Sequence, residues 1–221
     1  MTKIAIVYTS LGGLIQTMKK EFARAMPGCT LINIADDSLI REVMEEGAVT
    51  EGVRERIMHY FQAAANCNPQ VIVSACSSVG EVAEEADQKW GIPVVRIDHA
   101  MIEKALEEGN RIGVLASLGT TMEPTVSYIR RLAADRGREV QVVGKVAEGA
   151  YEANARGETA VHDARIAQAA KEIQADADVI ILAQGSMARM EEELRRQTGL
   201  PVYSSPRLCA EEIQVMCEKE G

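Results

Sequence analysis

Aromatic residues are scarce in this chain: Phe, Trp and Tyr together make up 4% of its 221 residues, with a single Trp and two Phe. Any core must therefore be aliphatic, packed from Val, Ile, Leu, Ala and Met. Long apolar runs are missing as well. None approaches the roughly 18 residues that a membrane-spanning helix needs. The opening MTKIAIVYTS lacks the basic start, long apolar stretch and small-residue cleavage site of a signal peptide, so it reads as a strand and the expected location is cytoplasmic. Basic residues are scattered and the net charge is -9, which argues against nucleic acid and anionic membranes as partners. The three histidines, His59, His99 and His162, are far apart and lack ligand spacing, so no metal site is expected. Five cysteines, at 29, 67, 76, 209 and 217, show no CxxC spacing and are odd in number. A reduced protein without a disulfide framework is the natural reading.

What is present is a regular alternation. Short apolar runs (Lys3–Tyr8, Thr30–Ile34, Val71–Ser74, Val94–Ile97, Arg111–Ala116, Val140–Val143, Val179–Ala183, Val202–Tyr203) are separated by amphipathic stretches. The latter (Leu14–Ala25, Val53–Ala65, Val79–Lys89, Met101–Glu108, Met122–Asp135, Ala160–Ala175, Met187–Gln197) have helical spacing. Apolar strands alternating with helices predict an α/β protein with parallel sheets covered on both faces. Gly91-Ile-Pro and Gly199-Leu-Pro each read as a helix stop followed by a strand.

The chain also repeats itself. VIVSACSSVGEVAEEADQKWGIPVV from Val71 aligns without a gap on VIILAQGSMARMEEELRRQTGLPVY from Val179, 108 positions later. KIAIVYTSLGG from Lys3 matches RIGVLASLGTT from Arg111 at the same offset, with a slip of one at Ser-Leu-Gly. Two stretches sharing one offset imply two similar lobes, each a flavodoxin-like parallel sheet sandwiched by helices. Lobe one is expected over 1–97 and lobe two over 98–205, with the final helix, 206–221, packing back on lobe one. Ligands in such sheets bind beyond the carboxyl ends of the strands. A pseudo-twofold would turn those ends towards one cleft.

Cys76 is the leading candidate for chemistry. A buried cysteine is often only a small hydrophobe. This one ends a strand where a helix is expected to begin, among Ser74, Ser77 and Ser78, a setting that favours the thiolate. Its counterpart in the repeat is Gln184. The loops Thr9-Ser10-Leu11-Gly12-Gly13 and Ser117-Leu118-Gly119-Thr120-Thr121 join strand to helix with glycines and hydroxyls, which suits a bound carboxylate. Ordinary turn and capping chemistry would use the same residues. Ser205 reads as a cap with Pro206 at the first helical position, His162 as solvated, Gly149–Glu158 as a mobile flap, and Glu191–Leu194 as a solvated helix face. His99 reads as a surface or capping residue.

These features resemble the aspartate/glutamate/hydantoin racemase superfamily. SACSS at 74–78 resembles its first catalytic-cysteine motif, and YTSLGGL at 8–14 its first strand loop. ASLGTT at 116–121 resembles its carboxylate-binding loop, and ILAQGSM at 181–187 stands where a second catalytic cysteine is expected. The resemblance implies a cofactor-independent racemase or isomerase acting at a carbon next to a carboxylate of a small acid or amino acid. Cys76 and Gln184 would be catalytic. Thr9, Ser10, Ser77, Ser78, Thr120, Thr121, Gly185 and Ser186 would bind substrate. The superfamily often dimerises, so a homodimer or higher homo-oligomer is among the expected assemblies. Two departures matter: Gln184 replaces the second cysteine, and Thr9 replaces an aspartate. Glutamine neither takes nor gives a proton at neutral pH. A decarboxylase or lyase of a small diacid, using Cys76 as proton donor, is the first alternative. A carboxylate-binding protein on a degenerate racemase scaffold is the second.

Overall fold

The computed structural model describes residues 2–219. The expected boundaries at residue 1 and at residues 220–221 lie outside them. The chain forms two compact units, Met1–His99 with Pro206–Gly221, and Ala100–Ser205.

In the first unit the chain runs β1 (Lys3–Tyr8), α1 (Leu14–Ala25), β2 (Thr30–Ala35), α2 (Ser38–Glu46), α3 (Glu51–Ala65), β3 (Val71–Ser74), a 3-10 turn at Ser77–Val79, α4 (Gly80–Ala86) and β4 (Val94–Arg96). The strands pair in parallel in the order β2-β1-β3-β4. After the junction come α5 (His99–Glu108), β5 (Arg111–Ala116), a 3-10 turn at Gly119–Thr121, α6 (Met122–Asp135), β6 (Gln141–Val146), α7 (Ala150–Ala155), α8 (Thr159–Ile173), β7 (Val179–Leu182), a 3-10 stretch at Gly185–Met190, α9 (Glu191–Thr198) and β8 (Val202–Ser204). Their order is β6-β5-β7-β8. Helix α10 (Ser205–Lys219) closes the chain.

The duplication is visible in the strand register. Ile4 pairs with Val71 and Ile112 with Val179; Ile72 pairs with Val94 and Ile180 with Val202. Every one of these partners moves by the same 108 positions. The first helical connection breaks the identity, since Lys3 pairs with Thr30 but Arg111 with Gln141, a three-residue insertion.

The apolar strands follow from burial on both faces. In β1, Ile4, Ile6 and Tyr8 pack towards Met18 and Phe22 of α1 and Cys209, Ala210 and Ile213 of α10. Ala5 and Val7 pack on the other face, with Ile57 and Phe61 of α3 and Val82 of α4. Period-two alternation thus feeds two cores from one strand. Local signals set the helix ends. Thr50 accepts from the Val53 N–H at 3.2 Å and starts α3. Gly199 takes a left-handed φ of 71° where α9 stops.

Several expectations are corrected. Helix α2 was not anticipated, although Leu39 and Val43 are buried at helical spacing and Gly47 ends it in the left-handed region. Gly149–Glu158 is not a flap: it holds α7, with Ala150 and Ala153 fully buried. His162 is fully buried rather than solvated. Glu191 is also buried, because its carboxylate accepts from the Ser204 N–H at 3.0 Å and the Ser204 hydroxyl at 2.6 Å. Helix α4 ends at Ala86, before Gly91, and β6 spans Gln141–Val146 rather than starting at Val140. The final helix begins at Ser205 itself, one residue before the expected start.

Helix α10 is tied to this frame by His99, whose Nδ1 lies 2.5 Å from Glu212 Oε1. The bond to Glu212 is the main influence raising the His99 pKa, ahead of burial, which lowers it. A raised imidazole pKa adds stability that is complete below the unfolded value of about 6.5 and fades as pH climbs through the folded value. His99→Gln should therefore lag the unmutated protein in urea unfolding at pH 5.5, and the gap should narrow steadily by pH 9. The matched registers make a second prediction. Ile72 and Ile180 are both fully buried in equivalent central strands, so Ile72→Val and Ile180→Val should each cost about 1 kcal/mol in equilibrium unfolding.

Candidate functional site

The strand order decides where a site can form. From β1 the chain turns outward to β2, and from β3 it turns the other way to β4. The carboxyl ends of β1 and β3 are thus the switch point of the sheet, where open α/β folds leave a crevice. The ladder continues past the strands, with the Ala75 N–H donating to Val7 O at 2.9 Å. Two steps on, Thr9 and Cys76 are neighbours.

Cys76 has extended backbone, φ -152° and ψ 116°, and precedes the 3-10 turn. It is partly exposed, while Thr9, Ser77 and Ser78 are buried. Burial is the strongest influence on its thiol and pushes the pKa up. The Thr9 hydroxyl, the Ser78 N–H, the Ser78 hydroxyl and the Val79 N–H bond to the sulfur and pull the other way, without cancelling the rise. The expected thiolate-favouring setting is corrected here. The chain enters a single 3-10 turn and then a seven-residue helix, so little macrodipole reaches the sulfur, and desolvation of the charged form prevails.

Ser77 does not bond to the sulfur. Its hydroxyl is held by Asp98, which is fully buried against Arg96. Ser10 is partly exposed in the loop before α1, next to Leu11, which is 64% exposed.

The second unit repeats the arrangement with other groups. The Ala183 N–H donates to Leu115 O at 2.8 Å, and two steps further Ser117 meets Gln184. The Ser117 N–H donates to Gln184 Oε1 at 2.6 Å and the Ser117 hydroxyl to the same oxygen at 3.1 Å. A backbone N–H can only donate, so the atom facing it must be the amide oxygen. Gln184 Nε2 is left as a buried donor with no partner, and Thr120 Oγ1, on the neighbouring loop, is likewise unpartnered. Thr121 is buried. Gly185 and Ser186 lie half-buried in the following 3-10 stretch. There the Ser186 carbonyl accepts from Arg189 Nη1 at 2.8 Å, and Arg189 Nη2 reaches Asp163 Oδ1 at 2.6 Å.

A model of the Asp/Glu/Hydantoin racemase family matches residues 13–213. The chain belongs to this family. Solved structures of similar fold include glutamate racemase isoform RacE1 from Bacillus anthracis, with 18% identity, TM-score 0.74, and coverage of 100% of this chain and 83% of that one. Allantoin racemase from Pseudomonas fluorescens has 19% identity and TM-score 0.73, with 99% and 92% covered. Unliganded arylmalonate decarboxylase has 15% identity and TM-score 0.57, with 97% and 92% covered. Comparison with curated protein sequences finds no significant match. Among the described residues no helix is long and apolar enough to cross a membrane, and no His, Cys, Asp or Glu cluster could hold a metal ion.

Within the racemase-family fold, four contributing residues are not among the candidates read from the sequence. Ser117 was quoted in its loop but not singled out; gapless alignment of Thr9 on Ser117 would have found it. Arg96 and Asp98 carry no repeat signal, since Ser204 and Pro206 stand 108 positions later. The Val79 N–H has no sequence signal, because only the turn geometry aims it. If the donors restrain the pKa of Cys76, Thr9→Val should raise it further. We expect the pH midpoint of Cys76 alkylation to move up by about one unit, with an unchanged melting temperature.

Proposed function

We propose that the protein is a cofactor-independent racemase or isomerase acting at a carbon next to a carboxylate of a small acid or amino acid, with Cys76 as the reacting group. The convergence of four donors on the Cys76 sulfur carries this reading. They can hold the sulfur as a thiolate after it gives up its proton, which is what a proton carrier or nucleophile requires. Thr9 and Ser78 belong to this ring, and Ser10, Thr120, Thr121, Gly185 and Ser186 are proposed to hold the substrate. Gln184 contributes as a hydrogen-bond donor to a carboxylate or enolate oxygen, supported by its fixed amide and free Nε2. We place the reaction in the cytoplasm. The names of the similar structures, two racemases and a decarboxylase, support chemistry of this kind.

One observation favours a second reading. The Cys76 pKa is raised, so the resting group is a thiol, and Gln184 is neither an acid nor a base at neutral pH. A neutral thiol with no ionisable counterpart suits a decarboxylase or lyase, in which Cys76 delivers one proton after carbon dioxide leaves.

Incubation of small diacids and amino acids with the enzyme in D2O, followed by NMR, tests both. α-Proton exchange that rises with pH through the Cys76 pKa and is lost in Cys76→Ser is the expected result. Carbon dioxide release from malonates, falling as pH rises through that value, would select the second reading. Binding without exchange or release would leave a carboxylate-binding protein.

A further inference from the structure

A buried ion pair lies under the Cys76 loop, and the proposed chemistry does not use it. Arg96 is 3% exposed and Asp98 fully buried. The guanidinium grips the carboxylate with two parallel bonds, Nε to Oδ1 at 2.9 Å and Nη2 to Oδ2 at 2.8 Å, and its Nη1 reaches Glu84 Oε1 at 2.6 Å. Burying two charges is costly, and such pairs are often replaceable by apolar residues without loss of stability. What the pair touches is therefore more informative than its strength.

It touches both ends of one turn. Asp98 takes the hydroxyl of Ser77, the residue directly after Cys76. Arg96 lies flat against Gly80, where an added Cβ would collide with the guanidinium carbon and nitrogens. Between these two grips is the 3-10 turn Ser77–Val79. That turn supplies three of the four donors to the Cys76 sulfur, the Ser78 N–H, the Ser78 hydroxyl and the Val79 N–H.

The second unit offers an internal comparison. By register, Ser204 of β8 stands where Arg96 stands in β4. There Ser204 bonds to Glu191 instead, and the residue in the Cys76 position is an amide that needs no stabilised anion. The second unit has a guanidinium–carboxylate pair as well, Arg195 to Glu191 at 2.9 Å, and it is tied to Val202 and Ser204 of β8.

We infer that Arg96 and Asp98 are positioning residues for Cys76, clamping the Ser77–Val79 turn so that its donors face the sulfur. This rests on the reading of Cys76 as the reacting group. It adds a prediction that needs no substrate.

The test uses two variants of the full chain that leave net charge unchanged. Ser77→Ala cuts one link, and the double exchange Arg96→Met with Asp98→Leu replaces the pair by apolar side chains. Alkylation of Cys76 by iodoacetamide is followed by peptide mass spectrometry across pH, with melting temperature measured alongside. In both variants the Cys76 midpoint should rise by about one pH unit, giving roughly tenfold slower reaction at neutral pH. The limiting rate at high pH and the melting temperature should stay close to those of the unmutated protein. Glu84→Gln, on the outer side of the pair, should leave the midpoint in place. A folded Ser77→Ala protein with an unshifted midpoint overturns the inference, and that variant decides the matter if the double exchange does not fold. Full turnover by Cys76→Ser would instead sink the functional reading, while a shifted midpoint in Ser77→Ala would still uphold the clamp.

Discussion

The opposition between burial and hydrogen bonding at one sulfur governs this molecule. Burial raises the cost of charging Cys76, and a ring of hydroxyl and backbone donors reduces that cost without removing it. The donors come from two parts of the fold. Thr9 arrives from the end of β1 because β1 and β3 are adjacent and in register. Ser78 and Val79 arrive from the turn after β3, which a buried arginine–aspartate pair holds in place. The sheet order and the ion pair are thus parts of one device that sets the state of a thiol.

The duplicated unit shows what remains when the thiol is absent. Its strands keep the same register, and its two strand-end residues, Ser117 and Gln184, still meet. The hydroxyl residue that donates to sulfur in one unit donates to an amide oxygen in the other. The consequence is chemical rather than structural. One unit offers a group that can carry a proton, and the other offers a fixed donor that cannot.

Much of the fold was legible in the sequence because its strands are short apolar runs bounded by glycine and proline, and because the repeat is gapless from Val71 to Val95. The unanticipated helix α2 had readable signals in the spacing of Leu39 and Val43 and in Gly47. Helix α7 had fewer, since small alanines bury without leaving a strong apolar stripe. The positions of Cys76 and Gln184 at strand ends followed from the repeat. The direction of the Cys76 shift did not. It depends on how much protein surrounds the sulfur and where individual N–H groups point, and neither is written in residue spacing. Glu191 was misread for a related reason: a three-glutamate run looks uniformly solvated until one member finds a backbone N–H and a hydroxyl in the next strand.

The most direct measurement is the ionisation of Cys76 itself in the unmutated, ligand-free protein. Cysteine labelled with 13C at Cβ reports the change from thiol to thiolate through its chemical shift, and comparison with Cys76→Ser assigns the resonance. The account predicts a single titration for Cys76 with a midpoint above the ordinary cysteine value of about 8.5. A midpoint at or below neutrality would show that the donors overcome burial, and would contradict it.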